Sequence, residues 1–319
     1  LGIRFEHFVR CGWSQDLSLP VADRAMLHAD NAYNLTNVEI VSHRLKTNTQ
    51  SNTAFRGFGG PQGIIGIERA IDHIAHYLNL DPASVRKTNF YKSSESLNED
   101  QSSMPDTTPY GMPVIDSISE KLLSSLFRTA NYKIRRKEIQ KWNKKNKFIK
   151  KGIGLSPVKF GISFTLTHLN QAGALVHVYL DGSIYLNHGG TEMGQGLFVK
   201  MAQVAAESFG VDLSKIKISA TNTSKIPNTS ATAASSGSDL NGMATKIACE
   251  KIINRVKSIL SNKYGVSETK IRFENNNIHL DNKIIKFSEG VAIAYENRIS
   301  LSATGYYATP EISWNRETG

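Results

Sequence analysis

The sequence predicts a mixed α and β fold (α+β) that is built as two related subdomains. Three glycine-rich loops each run directly into a segment of helical character, namely residues 52–60 before 61–79, residues 188–196 before 197–209, and residues 232–238 before 239–260. Short segments rich in β-type residues lie between these helices. The plan of strands, glycine loop and helix therefore occurs in both halves of the chain.

The first half is predicted to contain more helix than strand. Ile3, Phe5 and Phe8 indicate a strand. The apolar spacing predicts an amphipathic helix from Pro61 to Asn79, and the pair Asp81-Pro82 is typical of a helix start. The remaining predictions are a candidate helix over 20–31, a loop over 47–60, a long connection over 93–114 and a mostly helical segment over 115–142.

The second half is predicted to contain more strand. Residues 152–167 carry β-type side chains, and Asp181-Gly182 predicts a hairpin between residues 174–180 and 183–187. Short strands are also predicted over 215–220, 270–273, 278–280 and 283–287, the last two around the Asp281-Asn282 turn.

Composition is that of an ordinary globular protein. The 319 residues are 40% hydrophobic and 21% charged, and no apolar run reaches membrane-spanning length. The chain opens at Leu1 without a secretory leader and stops at Gly319 after a patterned segment, which suggests a piece of a longer polypeptide. Cys11 and Cys249 lack the spacing of zinc or iron–sulfur ligands, so we expect reduced thiols and a cytoplasmic location.

The net charge of +10 is concentrated in one stretch. Residues 133–151 contain ten Lys or Arg and the single acid Glu138, which gives 10 − 1 = +9. A solvated surface helix or linker is one interpretation, and a docking surface for an acidic partner subunit is another. A nucleic-acid interface would favour more aromatic residues than Trp142 and Phe148.

The three loops carry different side chains. A glycine loop at a helix start leaves backbone N–H groups free to bind an anion, although a single such loop is more often a plain turn. Arg56 and Phe58 add a cation and an aromatic ring, Gln195 adds a neutral donor, and the third loop adds the hydroxyls of Thr232, Ser235, Ser236 and Ser238. Three loops together predict the binding of a large anionic cofactor.

Other chemistries find less support in the pattern. Glu192 could serve as a general base by residue type alone, but a carboxylate beside helix N–H groups is more often a structural cap. The sequence has no G-x-S-x-G motif and no Walker lysine, and His168, His177 and His188 show no spacing to a nucleophile. Nucleotide hydrolysis and acyl transfer are therefore disfavoured.

Six motifs closely resemble the molybdenum-binding part of the xanthine dehydrogenase family. In chain order they are Gln50–Gly63, Val158–Thr165, Asn170–Ala174, His188–Gly196, Pro227–Gly242 and Ser300–Pro310. Residues 11–35 and the Ser-Ser-Gly-Ser stretch resemble the bacterial, separate-subunit form. The resemblance covers nearly the whole chain.

This resemblance implies a molybdenum–molybdopterin cofactor and the hydroxylation of hypoxanthine or xanthine to urate with oxygen derived from water. Phe58 and Phe164 match two aromatics that sandwich the purine, and Thr165 matches a threonine that contacts it. Three residues match positions near the molybdenum without being its direct ligands, namely Arg56, Gln195 and Ala234. The cofactor-binding residues are Arg56, Gly194, Gln195, Ala233, Ala234 and Ser235.

The resemblance also implies what lies elsewhere. No catalytic residue is expected in this chain, because the family's general-base glutamate falls after Gly319, and the 319 residues alone should be inactive. The [2Fe-2S] clusters and FAD are expected on another subunit or domain, in a homo- or hetero-oligomer without a membrane partner. An enzyme that oxidises aldehydes or other N-heterocycles is an alternative, as is a non-catalytic nucleic-acid or anion-binding protein that uses residues 133–151.

The resemblance further predicts the domain boundaries. Residues 1–142 would form the C-terminal part of a first molybdopterin-binding subdomain, and residues 143–152 a basic linker. Residues 153–319 would form the N-terminal part of a second such subdomain.

Overall fold

The computed structural model describes residues 2–92, 106–222 and 229–309. The chain forms two compact units, the first ending at Gly161 and the second beginning at Ile162. Most of the connection predicted over 93–114 lies outside the described residues, as do the first two residues of the motif Pro227–Gly242 and the last residue of Ser300–Pro310. The proposed linker over 143–152 and the boundaries on either side of it stay predictions.

The first unit has a two-stranded parallel sheet and five helices in its described part. In chain order its elements are β1 (Ile3–Gly12), α1 (Ser18–Leu27), β2 (Val38–Lys46), α2 (Gly60–Tyr77), α3 (Pro82–Thr88), α4 (Ser119–Thr129) and α5 (Tyr132–Lys145). The two strands pair from Ile3 opposite Val38 to Gly12 opposite Lys46. The predicted helices over 61–79 and after Asp81 are confirmed, and Asp81 accepts a hydrogen bond from the Ala83 N–H at 3.0 Å as a helix cap.

Glycine allows α2 to approach α1 closely. A Cβ placed on Gly63 would lie 2.0 Å from the carbonyl oxygen of Ala25, and one on Gly59 would lie 2.0 Å from that of Val21. Because both obstacles are backbone atoms, no side chain is accommodated at either position. The glycines of the first loop therefore serve helix packing. The apolar core of this unit is formed by Ala32, Tyr33, Ile67, Ile71, Phe90 and Leu123.

A buried ionic cluster crosses this core. The Arg86 guanidinium donates to Glu68 Oε2 from Nε at 3.0 Å and from Nη2 at 2.8 Å, and the Tyr33 hydroxyl donates to Glu68 Oε1 at 2.5 Å. Asn31 Nδ2 also donates to Glu68 Oε1 at 2.9 Å. The charges are therefore buried as a paired and hydrogen-bonded set, which is how proteins tolerate them.

The segment over 152–167 forms no strand, although its side chains are of β type. Its backbone N–H groups bond mainly to side chains: Lys159 N–H donates to Asn31 Oδ1 at 2.9 Å, and Gly161 N–H donates to His28 Nε2 at 2.9 Å. In the second unit, Phe164 N–H donates to Asn170 Oδ1 at 2.8 Å. Extended backbone is present, but side chains take the place of a neighbouring strand.

The second unit contains two sheets and three long helices in its described part. Its elements are β3 (Gln171–Val178), β4 (Ile184–His188), α6 (Leu197–Phe209), β5 (Ile216–Ile218), α7 (Gly237–Tyr264), β6 (Ile271–Glu274), β7 (Asn277–Leu280), β8 (Lys283–Lys286), α8 (Phe287–Glu296) and β9 (Ser302–Ala308). One sheet has the order β5-β4-β3-β9, and the other is the antiparallel meander β6-β7-β8. The short strands predicted over 215–220, 270–273, 278–280 and 283–287 are confirmed, whereas α8 and β9 were not predicted.

The predicted hairpin between β3 and β4 is confirmed. Its turn, however, is not the two-residue turn that an Asp-Gly pair favours. The Gly182 N–H donates to the Tyr179 carbonyl at 2.9 Å, so the turn spans residues 179–182. Gly182 has a φ of 79°, and Asp181 is not among the residues with positive φ. The glycine therefore supplies the left-handed position after a turn that uses Leu180 and Asp181 as its central residues.

The core of the second unit lies between the four-stranded sheet and helices α6 and α7. A Cβ on Gly305 would lie 1.9 Å from the Ala244 carbonyl oxygen, so α7 contacts the backbone of β9 directly. The largest fully buried apolar side chains of this unit are Ile184, Leu186, Leu197, Met201, Phe209, Ile252, Leu260, Ile271, Ile278 and Leu280. In the described ranges, no helix combines the length and apolar character that crossing a bilayer requires.

Candidate functional site

All three predicted glycine loops lead into helices. Helix α2 follows Gly59, which has a φ of 96°, and α6 follows Gly196, which has a φ of 74°. Helix α7 follows Ser236. The residue before each helix forms no side-chain cap. Other groups must therefore satisfy the first N–H groups of these helices.

In the second loop, the Glu192 carboxylate accepts hydrogen bonds from N–H groups at and before the start of α6. Its Oε1 accepts hydrogen bonds from the N–H groups of Gly194 at 2.9 Å and Gly196 at 3.0 Å, and its Oε2 accepts one from Phe198 at 3.0 Å. These hydrogen bonds lower the pKa of the Glu192 carboxyl, and the bond from the Phe198 N–H has the largest effect. The structure thus agrees with the cap interpretation of Glu192. The expectation that the N–H groups of this loop are unpaired is wrong.

Gln195 also bonds within its own loop. Its Oε1 accepts from the Met193 N–H at 2.5 Å, and its Nε2 donates to the Thr191 carbonyl at 2.9 Å. The adjacent Gly194 has a φ of 91°, and a Cβ placed there would meet no atom within 4 Å. The loop is therefore held in shape by its own side chains, with open space at Gly194.

The second and third loops lie side by side in the second unit. The Thr191 N–H donates to Thr232 Oγ1 at 2.8 Å, and a Cβ on Gly189 would lie 2.4 Å from the Thr229 side chain. The third loop also contacts the segment with Phe164, because the Ser163 N–H donates to the Ala234 carbonyl at 2.9 Å. Three of the sequence-predicted segments are thus brought together.

Unusual backbone conformations concentrate at these predicted residues. Twelve described non-glycine residues have positive φ, and seven of them are Asn or Asp, which tolerate that region. Four of the other five are Phe58 (50°), Ser163 (81°), Ala234 (56°) and Ser235 (60°). Such conformations cost ~1–3 kcal/mol each, and they cluster at functional sites in proteins.

The third loop offers short polar groups around this backbone. Ala233 accepts hydrogen bonds through its carbonyl from the Ser236 N–H at 3.3 Å and from Ser236 Oγ at 3.1 Å. Ala234 is buried, whereas Ser235 is exposed. The Ser235 hydroxyl is therefore accessible, whereas that of Ser236 is used within the loop.

Phe164 and Thr165 lie in a segment that Asn170 fixes. Asn170 Oδ1 accepts from the Phe164 N–H at 2.8 Å, and its Nδ2 donates to the Phe164 carbonyl at 2.9 Å. Phe164 is only 4% exposed. Thr165 Oγ1 is buried and forms no hydrogen bond with the described residues. A buried hydroxyl without a partner is unfavourable unless a ligand provides one.

In the first unit, Arg56 and Phe58 have different environments. Arg56 is exposed and forms no hydrogen bond or ion pair within the described part of the chain, whereas Phe58 is 3% exposed. The guanidinium carbon of Arg24 lies 5.7 Å from the centre of the Phe58 ring and 5.0 Å from that of Phe160. The exposed aromatic ring of this loop is that of Phe55, which is 81% exposed.

Arg24 is a candidate site residue that the sequence analysis missed. It is 3% exposed, donates to the Gly161 carbonyl, and desolvation lowers its pKa to about 10. His28 supports the same region: it bonds through Nδ1 to the Arg24 carbonyl at 2.8 Å and accepts from the Gly161 N–H at 2.9 Å. The only sequence signal was a charged residue within an apolar helical stretch.

His188 is buried at the start of the second loop. Its Nδ1 accepts from the Gly190 N–H at 3.1 Å, and its Nε2 is buried without a hydrogen bond. Burial lowers its pKa to about 4, so the ring is neutral near pH 7. His188 therefore shapes the backbone before Gly190 as a neutral residue.

The basic run forms helix α5 and an irregular segment after it. Lys150 Nζ donates to the carbonyls of Asn143 and Asn146, both at 2.6 Å, and thus caps the helix end. Lys151 Nζ lies 3.7 Å from the centre of the Trp142 ring. Trp142 is therefore engaged within the segment, and Phe148, which is 89% exposed, is the accessible aromatic.

The described residues contain no group of three His, Cys, Asp or Glu side chains that could hold a metal ion directly. Each of the two units combines helices with a sheet, and in each a glycine loop leads directly into a helix. The chain belongs to the molybdopterin cofactor-binding domain family, because one model of that family matches residues 126–319 and another matches residues 1–90.

Curated relatives agree with this assignment. The chain is 43% identical over 316 residues to xanthine dehydrogenase/oxidase of Gallus gallus, covering 99% of this chain and 21% of that protein. It is 42% identical to xanthine dehydrogenase of Dictyostelium discoideum, covering 97% and 20% respectively. The chain thus spans about a fifth of the length of these relatives. The expectation of a bacterial, separate-subunit form stays a prediction.

Solved structures with the same fold act on different substrates. Quinoline 2-oxidoreductase from Pseudomonas putida 86 aligns with a TM-score of 0.82 at 22% identity, over 98% of this chain and 41% of that one. An aldehyde oxidoreductase from Desulfovibrio desulfuricans ATCC 27774 aligns with a TM-score of 0.75 at 20% identity, over 99% and 30%. At these identities the likeness defines the fold alone.

Proposed function

We propose that the chain is the cofactor-holding part of a molybdenum hydroxylase that converts hypoxanthine and xanthine to urate with oxygen from water. The family membership supports the molybdopterin cofactor, and the xanthine dehydrogenases at 42–43% identity support the purine substrate. The single structural observation that carries the proposal is the positive φ of Ser163, Ala234 and Ser235 in the second unit, and of Phe58 in the first. Among the described residues, these are four of the five with positive φ that are not glycine, Asn or Asp.

The residues present fit a cofactor of this kind. Gly194 leaves open space beside a loop that its own side chains hold in shape, and Arg56 is an exposed guanidinium without a protein partner in the described ranges. Ser235 adds an exposed hydroxyl, and Ala234 and Ser235 turn the backbone in the left-handed region. An exposed cation and an exposed hydroxyl suit a phosphate-bearing group. Following the family resemblance, we assign Arg56, Gly194, Gln195, Ala233, Ala234 and Ser235 to cofactor binding, with Arg56, Gln195 and Ala234 near the molybdenum without being its direct ligands.

Phe58, Phe164 and Thr165 are the proposed substrate residues. Thr165 Oγ1 is a buried hydroxyl that lacks a partner, so a polar ring substituent would satisfy it. Arg24 lies against the Phe58 ring and carries a desolvated cation suited to a ring oxygen. A ring fixed between aromatics has little orientational freedom left to lose in the reactive complex.

The bound cofactor would supply a molybdenum centre that accepts the electrons released when carbon is hydroxylated. This chain's residues would hold the cofactor, orient the purine and exclude water. The proposal keeps the general-base glutamate beyond Gly319, and it places the [2Fe-2S] clusters and FAD on another domain or subunit. The cytoplasm remains the proposed location, in keeping with Cys11 and Cys249, which are both buried free thiols.

A purine oxidation assay on the full-length protein tests the substrate. We expect urate to form from xanthine, as measured by the absorbance of urate. We expect the rate of urate formation to be lower in Thr165→Val. Oxidation of aromatic aldehydes or quinoline without urate formation would instead favour the alternative substrate class. Salt-sensitive binding of DNA by a protein without molybdenum would favour the basic run as the functional surface.

A further inference from the structure

Glu192 occupies a position that a charged ligand would otherwise be expected to take. The N-terminus of α6 is a helix start preceded by glycines, where backbone N–H groups and the helix dipole favour an anion. Here the anion is the carboxylate of the chain's own Glu192, which accepts from Gly194, Gly196 and Phe198 at 2.9–3.0 Å. A second anion at the same N–H groups would be repelled by this carboxylate and would lack donors.

Gln195 completes the closure of the loop. Its amide accepts from the Met193 N–H and donates to the Thr191 carbonyl. Thr191 in turn donates its N–H to Thr232 of the third loop at 2.8 Å. The N–H groups of residues 191, 193, 194, 196 and 198 are therefore all paired with side-chain oxygens, and a single carboxylate accounts for three of them.

We propose that Glu192 is a positioning residue, which fixes residues 191–198 in their ligand-binding shape and closes the α6 N-terminus to anionic ligands. The cofactor then meets this loop through the open side of Gly194 and the Gln195 side chain. A negatively charged part of the cofactor would find its donors elsewhere than at the N–H groups of Gly194, Gly196 and Phe198. The link to the cofactor rests on the proposed function, whereas the closure of the helix start stands on the hydrogen bonds alone.

The test compares Glu192→Ala, Glu192→Gln and Glu207→Ala in the full-length protein. Glu207 is an exposed carboxylate on the last turn of the same helix and is the matched control. Hydrogen exchange measured by mass spectrometry reports the peptides that cover residues 190–200. We expect several-fold faster exchange in Glu192→Ala, less change in Glu192→Gln because its amide oxygen still accepts hydrogen bonds, and none in Glu207→Ala.

Binding of inorganic phosphate distinguishes the proposed role of Glu192 from one that only stabilises the loop. In Glu192→Ala the released N–H groups should bind phosphate, so millimolar phosphate should slow exchange in these peptides, whereas it should leave the wild-type peptides unchanged. Phosphate protection of the wild-type loop, or unaltered exchange in Glu192→Ala, would overturn the proposal.

Molybdenum content measured on the same preparations separates this proposal from the proposed function. We expect Glu192→Ala to retain several-fold less molybdenum and pterin than wild type, with Glu207→Ala unchanged. Wild-type protein without molybdenum would count against the proposed function while leaving the exchange result to decide the role of Glu192. Full molybdenum retention in Glu192→Ala, with exchange accelerated, would overturn the positioning of the cofactor by this residue.

Discussion

Replacing Asn170 by alanine tests how the candidate substrate segment is held. Asn170 is 5% exposed and forms two hydrogen bonds to the backbone of Phe164, accepting from its N–H at 2.8 Å and donating to its carbonyl at 2.9 Å. Each bond contributes ~1 kcal/mol net, and a buried group left without a partner costs more. The two bonds together predict a loss of ~2–4 kcal/mol in the free energy of unfolding.

Urea unfolding followed by circular dichroism measures this loss. Asn297→Ala is the control, because Asn297 is exposed and its side chain makes one local hydrogen bond, to the Ile293 carbonyl at 2.8 Å. We expect the control to change stability by ~0.5 kcal/mol or less. If Asn170→Ala is no more destabilising than Asn297→Ala, then Asn170 does not fix Phe164 and the reasoning is refuted.

Three further predictions follow from single residues. Thr165→Val removes a buried unpaired hydroxyl, so stability should be unchanged or ~1 kcal/mol higher while purine turnover falls; a clear loss of stability in urea would contradict the unpaired state of the hydroxyl. Gly305→Ala should lower the free energy of unfolding by at least ~3 kcal/mol, because the new methyl group would lie 1.9 Å from a carbonyl oxygen of α7. In the control Gly265→Ala the methyl group meets open space, so only the left-handed backbone strain of ~1 kcal/mol is expected. Folding lowers the pKa of His188 from 6.5 to about 4, so the unfolded chain binds a proton at this ring more readily than the folded chain. As the pH falls from 6.5 to 4, the free energy of unfolding should therefore decrease by ~3 kcal/mol relative to His188→Gln. Parallel curves of unfolding free energy against pH for the two proteins would refute this prediction.

Local patterns predicted the helices and hairpins of this fold well. Helix α6 runs from Leu197 to Phe209, as its apolar spacing and preceding glycines predict. Long-range pairing was not predictable: β2 lies parallel to β1 across an intervening helix, and β9 joins the sheet beside β3 from more than a hundred residues away. Such pairings depend on tertiary packing, which composition and periodicity do not encode locally.

The candidate site was predictable in its chemistry and less so in its hydrogen bonds. The glycine loops were found from sequence because helix starts and glycines leave strong local signals. The residue type favoured a helix cap at Glu192 over a general base, but it did not show which N–H groups the carboxylate would bind. The β-type residues over 152–167 do not reveal that the side chains of Asn31, His28 and Asn170 bond the backbone of this segment.

The molybdenum and pterin content of the purified full-length protein tests the central claim most directly. Elemental analysis should find close to one molybdenum per polypeptide in protein made by cells that synthesise the cofactor, and Ser235→Asp, which adds a negative charge at the exposed third loop, should reduce it severalfold. Wild-type protein that contains neither molybdenum nor pterin under these conditions would contradict the account.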